Sequence, residues 1–297
     1  MGAFCEIPLI ERTFATLDLI ERRGFSVRLE CLAEWMLGGS VDPGLLGHLV
    51  AKTEGLFLSD GLVHTQSFDL ASLGRTLERQ RLHPAHCLKY WPEVEEFVQR
   101  LKKRCPQIRC IALAGSMAAG GFVESDDVDF NLFVEDGTRY TTYLQAALLA
   151  LEFSIRHRRR PTDAHSRRWL FPKLMSINVI WTDSDIRPFV RRDGAMALEL
   201  FLSRPLMGES YFNTMLGCNP WLDDYFPQVG SGQWACNRLQ QQPKPFQLLQ
   251  ERLSYQAAYL GWRWVMWCRR HNPEALARVA QVRRYQSPYA LFEMLPK

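Results

Sequence analysis

The sequence predicts an α+β protein in three parts: an N-terminal helical unit closed by a hairpin, a mixed-sheet core, and a C-terminal helical region. Three observations carry this reading. Residues 14–52 hold three short apolar periodicities of helical spacing, punctuated by glycines and a proline, and the run LFLSDGLVHT follows them. Residues 108–134 hold two strand patterns separated by Gly-Ser and Gly-Gly breaks. From Ala195 onward the pattern is helical and ends in an aromatic-rich run at 247–271. The three parts are set at 1–70, 85–190 and 191–297.

Composition bounds the rest. The chain has 297 residues, 47% hydrophobic and 23% charged, which excludes a disordered chain, a collagen-like fibre and a small disulfide scaffold. No apolar run approaches the ~18 residues of a membrane span, and the opening MGAFCEIPLIERTF lacks the apolar stretch of a signal peptide. The eight cysteines, at 5, 31, 87, 105, 110, 218, 236 and 268, form no CxxC pair. Reduced thiols in a cytoplasmic protein, with no membrane partner, are therefore expected. Charge is uneven. Between Arg156 and Arg192 ten Lys/Arg face three Asp, so this window carries +7 and the rest of the +4 chain carries −3. A local basic field points to an anionic ligand such as nucleotide phosphates, a polynucleotide or a membrane surface; a solvated arginine-rich loop has the same composition.

The elements follow in order. FATLDLIERRGF reads as a short helix ending at Gly24, and RLECLAEWML as a second, stopped by Gly38-Gly39. Asp42-Pro43 is an N-cap with proline at the first helical position, opening a third helix through Lys52. Ser59-Asp60-Gly61 marks a β-hairpin turn. Three short helices and a hairpin over residues 10–66 resemble a winged helix in element order and length. Residues 67–90 read as a connector, after which Pro92 opens the helix PEVEEFVQRLKKRC, with acids first and bases last as the helix dipole prefers. Ile108–Ala114 is a buried strand, Met117–Ala119 a short helix, and Asp127–Val134 an alternating strand. Thr141–His157 is amphipathic and Leu174–Trp181 is a further strand. A loop rich in Gly, Asn, Pro and Gln covers about 213–246, and the aromatic stripe of Tyr255, Tyr259, Trp262, Trp264 and Trp267 is read as core packing.

The chemistry-bearing stretch is IRCIALAGSMAAGGFVESDDVDFNLFVED. Asp127 and Asp129, at i and i+2 on a strand, point the same way with Cα atoms about 6.5–7 Å apart. Both can reach one or two divalent cations, and hard oxygen ligands select Mg²⁺ or Mn²⁺. Gly115-Ser116, before a short helix, offers backbone N–H groups and a hydroxyl to a phosphate.

Gly115-Ser116, Gly120, and then Ser125-Asp126-Asp127-Val128-Asp129-Phe130 resemble the hG[GS]…DhDh motif of the DNA polymerase β-like nucleotidyltransferase superfamily. The motif spans about 20 residues, and the order of strands and helices extends the resemblance over 92–183. It implies a nucleotidyltransferase core in which Asp127 and Asp129 ligate the metal and Gly115 and Ser116 contact the triphosphate. The superfamily's third carboxylate, on a later strand, falls on KLMSINVIWTD. Alternation there sets Ser176 and Asn178 on the polar face and Met175, Ile177 and Val179 on the other, so the position holds Asn178, with Asp183 and Asp185 as possible substitutes. The segment LELFLSRPLMGESYFNTMLGCNPWLDDYFP further resembles a poorly characterised bacterial branch. Turn and packing roles are expected there for Pro205, Gly208 and Trp221.

These readings imply a Mg²⁺- or Mn²⁺-dependent enzyme that moves NMP from a nucleoside triphosphate to a hydroxyl acceptor (small molecule, protein or RNA) and releases pyrophosphate. Arg158, Arg159 and Arg160, with Arg167 and Arg168, would steer the phosphates or an anionic acceptor. The alternative is a weakly active or inactive binding or regulatory protein that uses its winged helix for nucleic-acid or protein contact. The helix DPGLLGHLVAKT, with one Lys, one His and no Arg, is poorly equipped for phosphate contacts.

Overall fold

A computed structural model describes residues 4–161, 172–230, 245–273 and 276–277. The protein is a mixed α and β structure built around a mixed four-stranded sheet.

The N-terminal unit runs α1 (Leu9–Glu21), β1 (Val27–Arg28), α2 (Leu29–Glu34), α3 (Pro43–Lys52), β2 (Leu56–Ser59) and β3 (Leu62–Thr65). Asp42 caps α3 by accepting the Leu45 N–H at 2.8 Å. Asp60 and Gly61 both have positive φ, 51° and 81°, which is the two-residue turn that matches strand twist in a tight hairpin. Two-residue β1 joins β3 to complete a small antiparallel sheet in the order β1-β3-β2. It is too short to leave an alternation in the sequence.

Residues 67–90 are not a connector. Helix α4 runs unbroken from Leu70 to Arg104, with Pro84 and Pro92 inside it, and Asp69 caps it by accepting from Ala71 and Ser72. A proline inside a helix normally breaks it. Here tertiary contacts along the helix hold it together, as described below.

The core follows as β4 (Ile108–Ala114), α5 (Gly115–Ala118), β5 (Val128–Val134), α6 (Arg139–Arg156), β6 (Met175–Thr182), α7 (Gly194–Leu202), β7 (Arg204–Met207), α8 (Glu209–Gly217) and α9 (Pro245–Arg269). The strand order is β6-β5-β4-β7: β4 is antiparallel to β5 and to β7, and β5 is parallel to β6 through the α6 crossover. β7, unforeseen in the sequence, carries Pro205 and lies at the sheet edge, where a missing N–H is tolerated. A Cβ at Gly208 would overlap the Arg109 carbonyl, so only glycine fits after β7.

Each face of the sheet is covered. Val128, Phe130, Leu132 and Val134 pack against Tyr90, Val94, Phe97 and Leu101 of α4 and Ala146, Leu149 and Phe153 of α6. On the opposite face Phe133, Val179 and Trp181 share one core with α7, with α8 and with Leu17 and Ile20 of α1.

The aromatic stripe of α9 departs from the core packing expected for it: Trp264 and Trp267 are each 59% exposed. Among the described residues Cys5, Cys31, Cys87, Cys105, Cys110 and Cys268 are free, while Cys218 is disulfide-bonded, contrary to the expectation of reduced thiols throughout. No helix of the described residues is long and apolar enough to cross a membrane.

Candidate functional site

Burial of Val128, Phe130, Leu132 and Val134 on the α4/α6 side turns Asp129 and Asn131 to the other side of β5. Ala114, the last residue of β4, pairs across the sheet with Asp129, so the Gly-Ser turn emerges directly beside the carboxylate. Gly115 has φ +62°, and a Cβ there would overlap Asp129 Oδ2 and lie 3.1 Å from its Cβ and Cγ. Backbone conformation and space both demand glycine at this point. Ser116 Oγ donates to Asp126 Oδ2 at 2.8 Å, so its hydroxyl hydrogen is already used. Asp126 also accepts from the Arg79 guanidinium and, at 3.3 Å, from Val123 N–H. The first aspartate of the Asp-Asp-Val-Asp run therefore organises the loop.

The other two aspartates share one field. Lys173 Nζ stands 3.1 Å from Asp127 Oδ2 and also donates to Ser176 Oγ. In the β5–β6 register Ser176 lies directly opposite Asp129. Burial alone would raise the Asp127 carboxyl, but the Lys173 ammonium holds it below the usual carboxylate range. Asp129 goes the other way: burial first, and then the Asp127 charge, push it up to about 8, with Glu199 adding in the same direction. The pair thus has hard oxygen donors on one sheet face and a charge that a divalent cation would relieve, which fits Mg²⁺ or Mn²⁺. No group of three or more His, Cys, Asp or Glu converges as a metal cage among the described residues. A cation on this pair would draw further ligands from phosphate oxygens and water, as Mg²⁺ commonly does.

Asn178 lies on the Ser176 face, as alternation sets it, and alternation breaks at the next residue, Val179. Phe130 pairs with Ile177 and Asn131 with Val179, so the register shifts by one residue at Asn178. This bulge turns Val179 to the same side as Asn178, into the core with Phe133 and Trp181, whereas alternation had set it beside Met175 and Ile177. Asn178 Nδ2 donates to Asn131 Oδ1 at 2.9 Å and to Glu199 Oε1 at 3.2 Å. Asp183 and Asp185 do not stand in for a third carboxylate. They follow the far end of β6, seven and nine residues beyond Ser176 and so roughly 20 Å or more away at ~3.3 Å per residue. Both are also engaged: Asp183 accepts from Tyr211, and Asp185 from Arg139 and Thr182.

Sequence reasoning missed Lys173 and Ser176, which lie beside the pair, and Glu199. The signal for Glu199 was present: it is the single ionisable residue of the otherwise apolar helix GAMALELFL.

The arginines divide. Arg160 donates to the carbonyls of Glu124 (2.9 and 2.6 Å), Lys173 (2.9 Å) and Asp126, and lies over the Tyr90 ring at 5.4 Å. It ties the loop before β5 to the chain before β6, and its donors are spent on backbone. Arg158 and Arg159 are exposed and line a cleft of about 610 Å³ with Lys89, Tyr90, Glu93 and Glu124. Arg156 pairs with Glu93 and Glu96. Arg167 and Arg168 lie outside the described residues.

The fold therefore gathers Gly115, Asp127 and Asp129 at one point, with Lys173 and Ser176 against them and Arg160 bracing the loops behind. Asn178 sits one step further along the same face, and Arg158 and Arg159 face a neighbouring cleft. No family model, curated protein or solved structure matches this chain significantly.

Proposed function

We propose that the protein is a Mg²⁺- or Mn²⁺-dependent nucleotidyltransferase that moves NMP from a nucleoside triphosphate to a hydroxyl acceptor. The observation that carries this reading is the packing of Gly115 against Asp129, which seats a Gly-Ser turn on a two-carboxylate strand face. Asp127 and Asp129 would hold the cation, whose chemistry there is to neutralise the triphosphate and polarise the α-phosphorus. The backbone of Gly115-Ser116 would bind phosphate oxygens. Arg158 and Arg159 would draw the triphosphate or an anionic acceptor by charge, while Arg160 holds the loop. The N-terminal unit, read as a winged helix, would serve acceptor or protein contact. Its exposed side chains include Leu45, Phe57 and Leu58.

A second reading, a nucleotide-binding protein of weak or absent turnover, is favoured by one observation. The position expected for a third carboxylate carries an amide, and positioned general bases typically contribute ~10²–10⁴-fold. One experiment separates the two. The protein is incubated with each α-labelled nucleoside triphosphate, Mg²⁺ or Mn²⁺ and a cell extract, beside Asp127→Asn and Asp129→Asn. Label on an acceptor and pyrophosphate release, lost in both variants, establish the transferase. Metal-dependent nucleotide binding without transfer establishes the binding protein. Binding that is unchanged in both variants overturns the site.

A further inference from the structure

Behind the carboxylate pair the same sheet face holds a closed polar network. Asn131 is fully buried; its Nδ2 donates to Glu199 Oε1 at 3.0 Å and Ser203 Oγ at 3.1 Å, and its Oδ1 accepts from Asn178. Both hydrogens of Asn178 Nδ2 are accounted for, on Asn131 and on Glu199. Glu199 is 15% exposed. Its Oε1 receives the two amides, and its Oε2 faces Arg23 Nη1 at 3.2 Å; Arg23 also donates to the Ala195 carbonyl at 3.1 Å. All four hydrogens of the two amides have an acceptor, which is what a buried polar cluster requires to hold one arrangement. The arrangement fixes the amide of Asn178 one way round: nitrogen toward Glu199 and Asn131, leaving the oxygen as its remaining polar atom. Asn131 lies two residues along β5 from Asp129 on the same face, and the bulge sets Asn178 beside it.

We propose that Glu199 is a positioning residue for the candidate site, holding Asn178 so that its amide oxygen, and not its nitrogen, is offered to a cation on Asp127 and Asp129. Arg23, in the turn after α1, holds Glu199 from the other side. The N-terminal unit is thereby joined to the site through Arg23, Glu199 and Asn178. A carboxylate on a helix thus orients a neutral ligand on the strand where the resembling superfamily has a charged one. This inference rests on the two-carboxylate metal reading above.

The test is Mn²⁺ binding to the full chain, followed by the electron paramagnetic resonance of free Mn²⁺ at one fixed pH for every variant. Wild type, Asp127→Asn, Asn178→Ala, Glu199→Gln and the double variant Glu199→Gln/Asn178→Ala are compared, with a thermal melt for each. Glu199→Gln keeps the size but sets an NH₂ against either Arg23 or the two amides. It is expected to weaken Mn²⁺ about tenfold, the lower end of what removing a residue that orients a metal ligand does. The double variant is expected to bind no more weakly than Asn178→Ala, because Glu199 acts through that amide. Unchanged Mn²⁺ affinity in Glu199→Gln, or additive losses in the double variant, overturns the proposal while leaving the metal site standing. No Mn²⁺ binding by wild type, or equal binding by Asp127→Asn, overturns the metal reading and this proposal with it. Should Glu199→Gln not fold, Arg23→Gln, which releases only Oε2, takes its place with the same expectations.

Discussion

At Asp129 two effects act together, burial and the neighbouring Asp127 charge, and the carboxyl is held protonated up to about 8. Its ordinary value is 3.8, so between these limits the folded state binds more protons than the unfolded one. Stability of the metal-free protein then falls as pH rises from about 4 toward 8. A divalent cation must displace that proton, so its affinity should rise with pH up to about 8 and level off above it. Thermal melts with and without Mn²⁺ across this range check both statements; an equal Mn²⁺ stabilisation at pH 5 and pH 9 would refute them. Gly115→Ala places a methyl group on Asp129 at a φ of +62° and should abolish metal-dependent nucleotide binding. Retention of that binding in calorimetry would show that the Gly-Ser turn is not part of the site. Asp129 was legible because strand alternation is local: it faces away from Val128 and Phe130, while Asp127, just before β5, shares Lys173 and Ser176 with it. The face of Asn178 was legible in the same way, but the side taken by Val179 was not. A bulge is set by the partner strand, and nothing within KLMSINVIWTD announces that Asn178 and Val179 turn the same way.

Helix α4 shows how element-scale reasoning fails when prolines are read alone. Pro92, read as the first helical position, placed its start twenty-two residues too late, at 92 instead of 70. What holds the helix is the loop laid along it. Arg79 binds Asp126, and Lys89 and Tyr90 bind Glu124 at 2.5 and 3.0 Å. His83 Nδ1 accepts the Phe122 N–H at 3.0 Å, and His86 Nδ1 accepts the Glu124 N–H at 3.1 Å. α4 is thus the spine on which the loop leading to Asp127 is mounted, and its histidines accept from that loop through Nδ1. Burial, and then Arg204, lower the His83 pKa below its ordinary 6.5. A depressed histidine contributes stability that is complete above 6.5 and is lost as pH falls from there toward the folded value. Hydrogen exchange should therefore show Phe122 N–H losing protection on acidification below about 6.5, ahead of the β5 amides. Protection of Phe122 that is flat from pH 7 to pH 5 would mean that His83 does not hold the loop. The arginines separate on the same geometry. Arg160→Ala removes three backbone carbonyl partners and should lower the melting temperature, whereas Arg158→Ala/Arg159→Ala should leave the melt unchanged, weaken nucleotide or acceptor binding and flatten its salt dependence. A melt lowered equally in both would put all three in one structural role.

For the whole molecule, element order divides the chain where the N-terminal hairpin ends, yet packing runs across that line. Leu17 and Ile20 of α1 belong to the same core as Phe133, Trp181, Met196 and Leu200. Gly38 N–H donates to the Tyr225 carbonyl at 2.7 Å, Gln228 Nε2 donates to the carbonyls of Glu34 and Met36, and Arg23 bonds Glu199 and Ala195. A Cβ on Gly194, at the start of α7, would stand 3.1 Å from Leu19 Cδ1, so α1 and α7 approach closely there. None of this is written locally in either segment, because each stripe of apolar residues states that it is buried and not against what. The consequence is mechanical. A fully buried leucine or phenylalanine is worth about 1.5–3 kcal/mol, and a whole domain is stable by only ~5–15 kcal/mol. Uncovering even a few of the shared positions consumes that margin. The full chain should therefore unfold in one calorimetric transition through the N-terminal unit and the sheet together, and a chain lacking residues 1–66 should fail to give a cooperative melt. Truncation also removes Arg23, so any residual fold should bind Mn²⁺ more weakly, by about the tenfold expected of Arg23→Gln, even if Asp127 and Asp129 persist. Two resolved transitions in the full chain, or a cooperative melt of the truncated one, would show that the N-terminal unit is an appendage and that the shared core contributes little to holding the site.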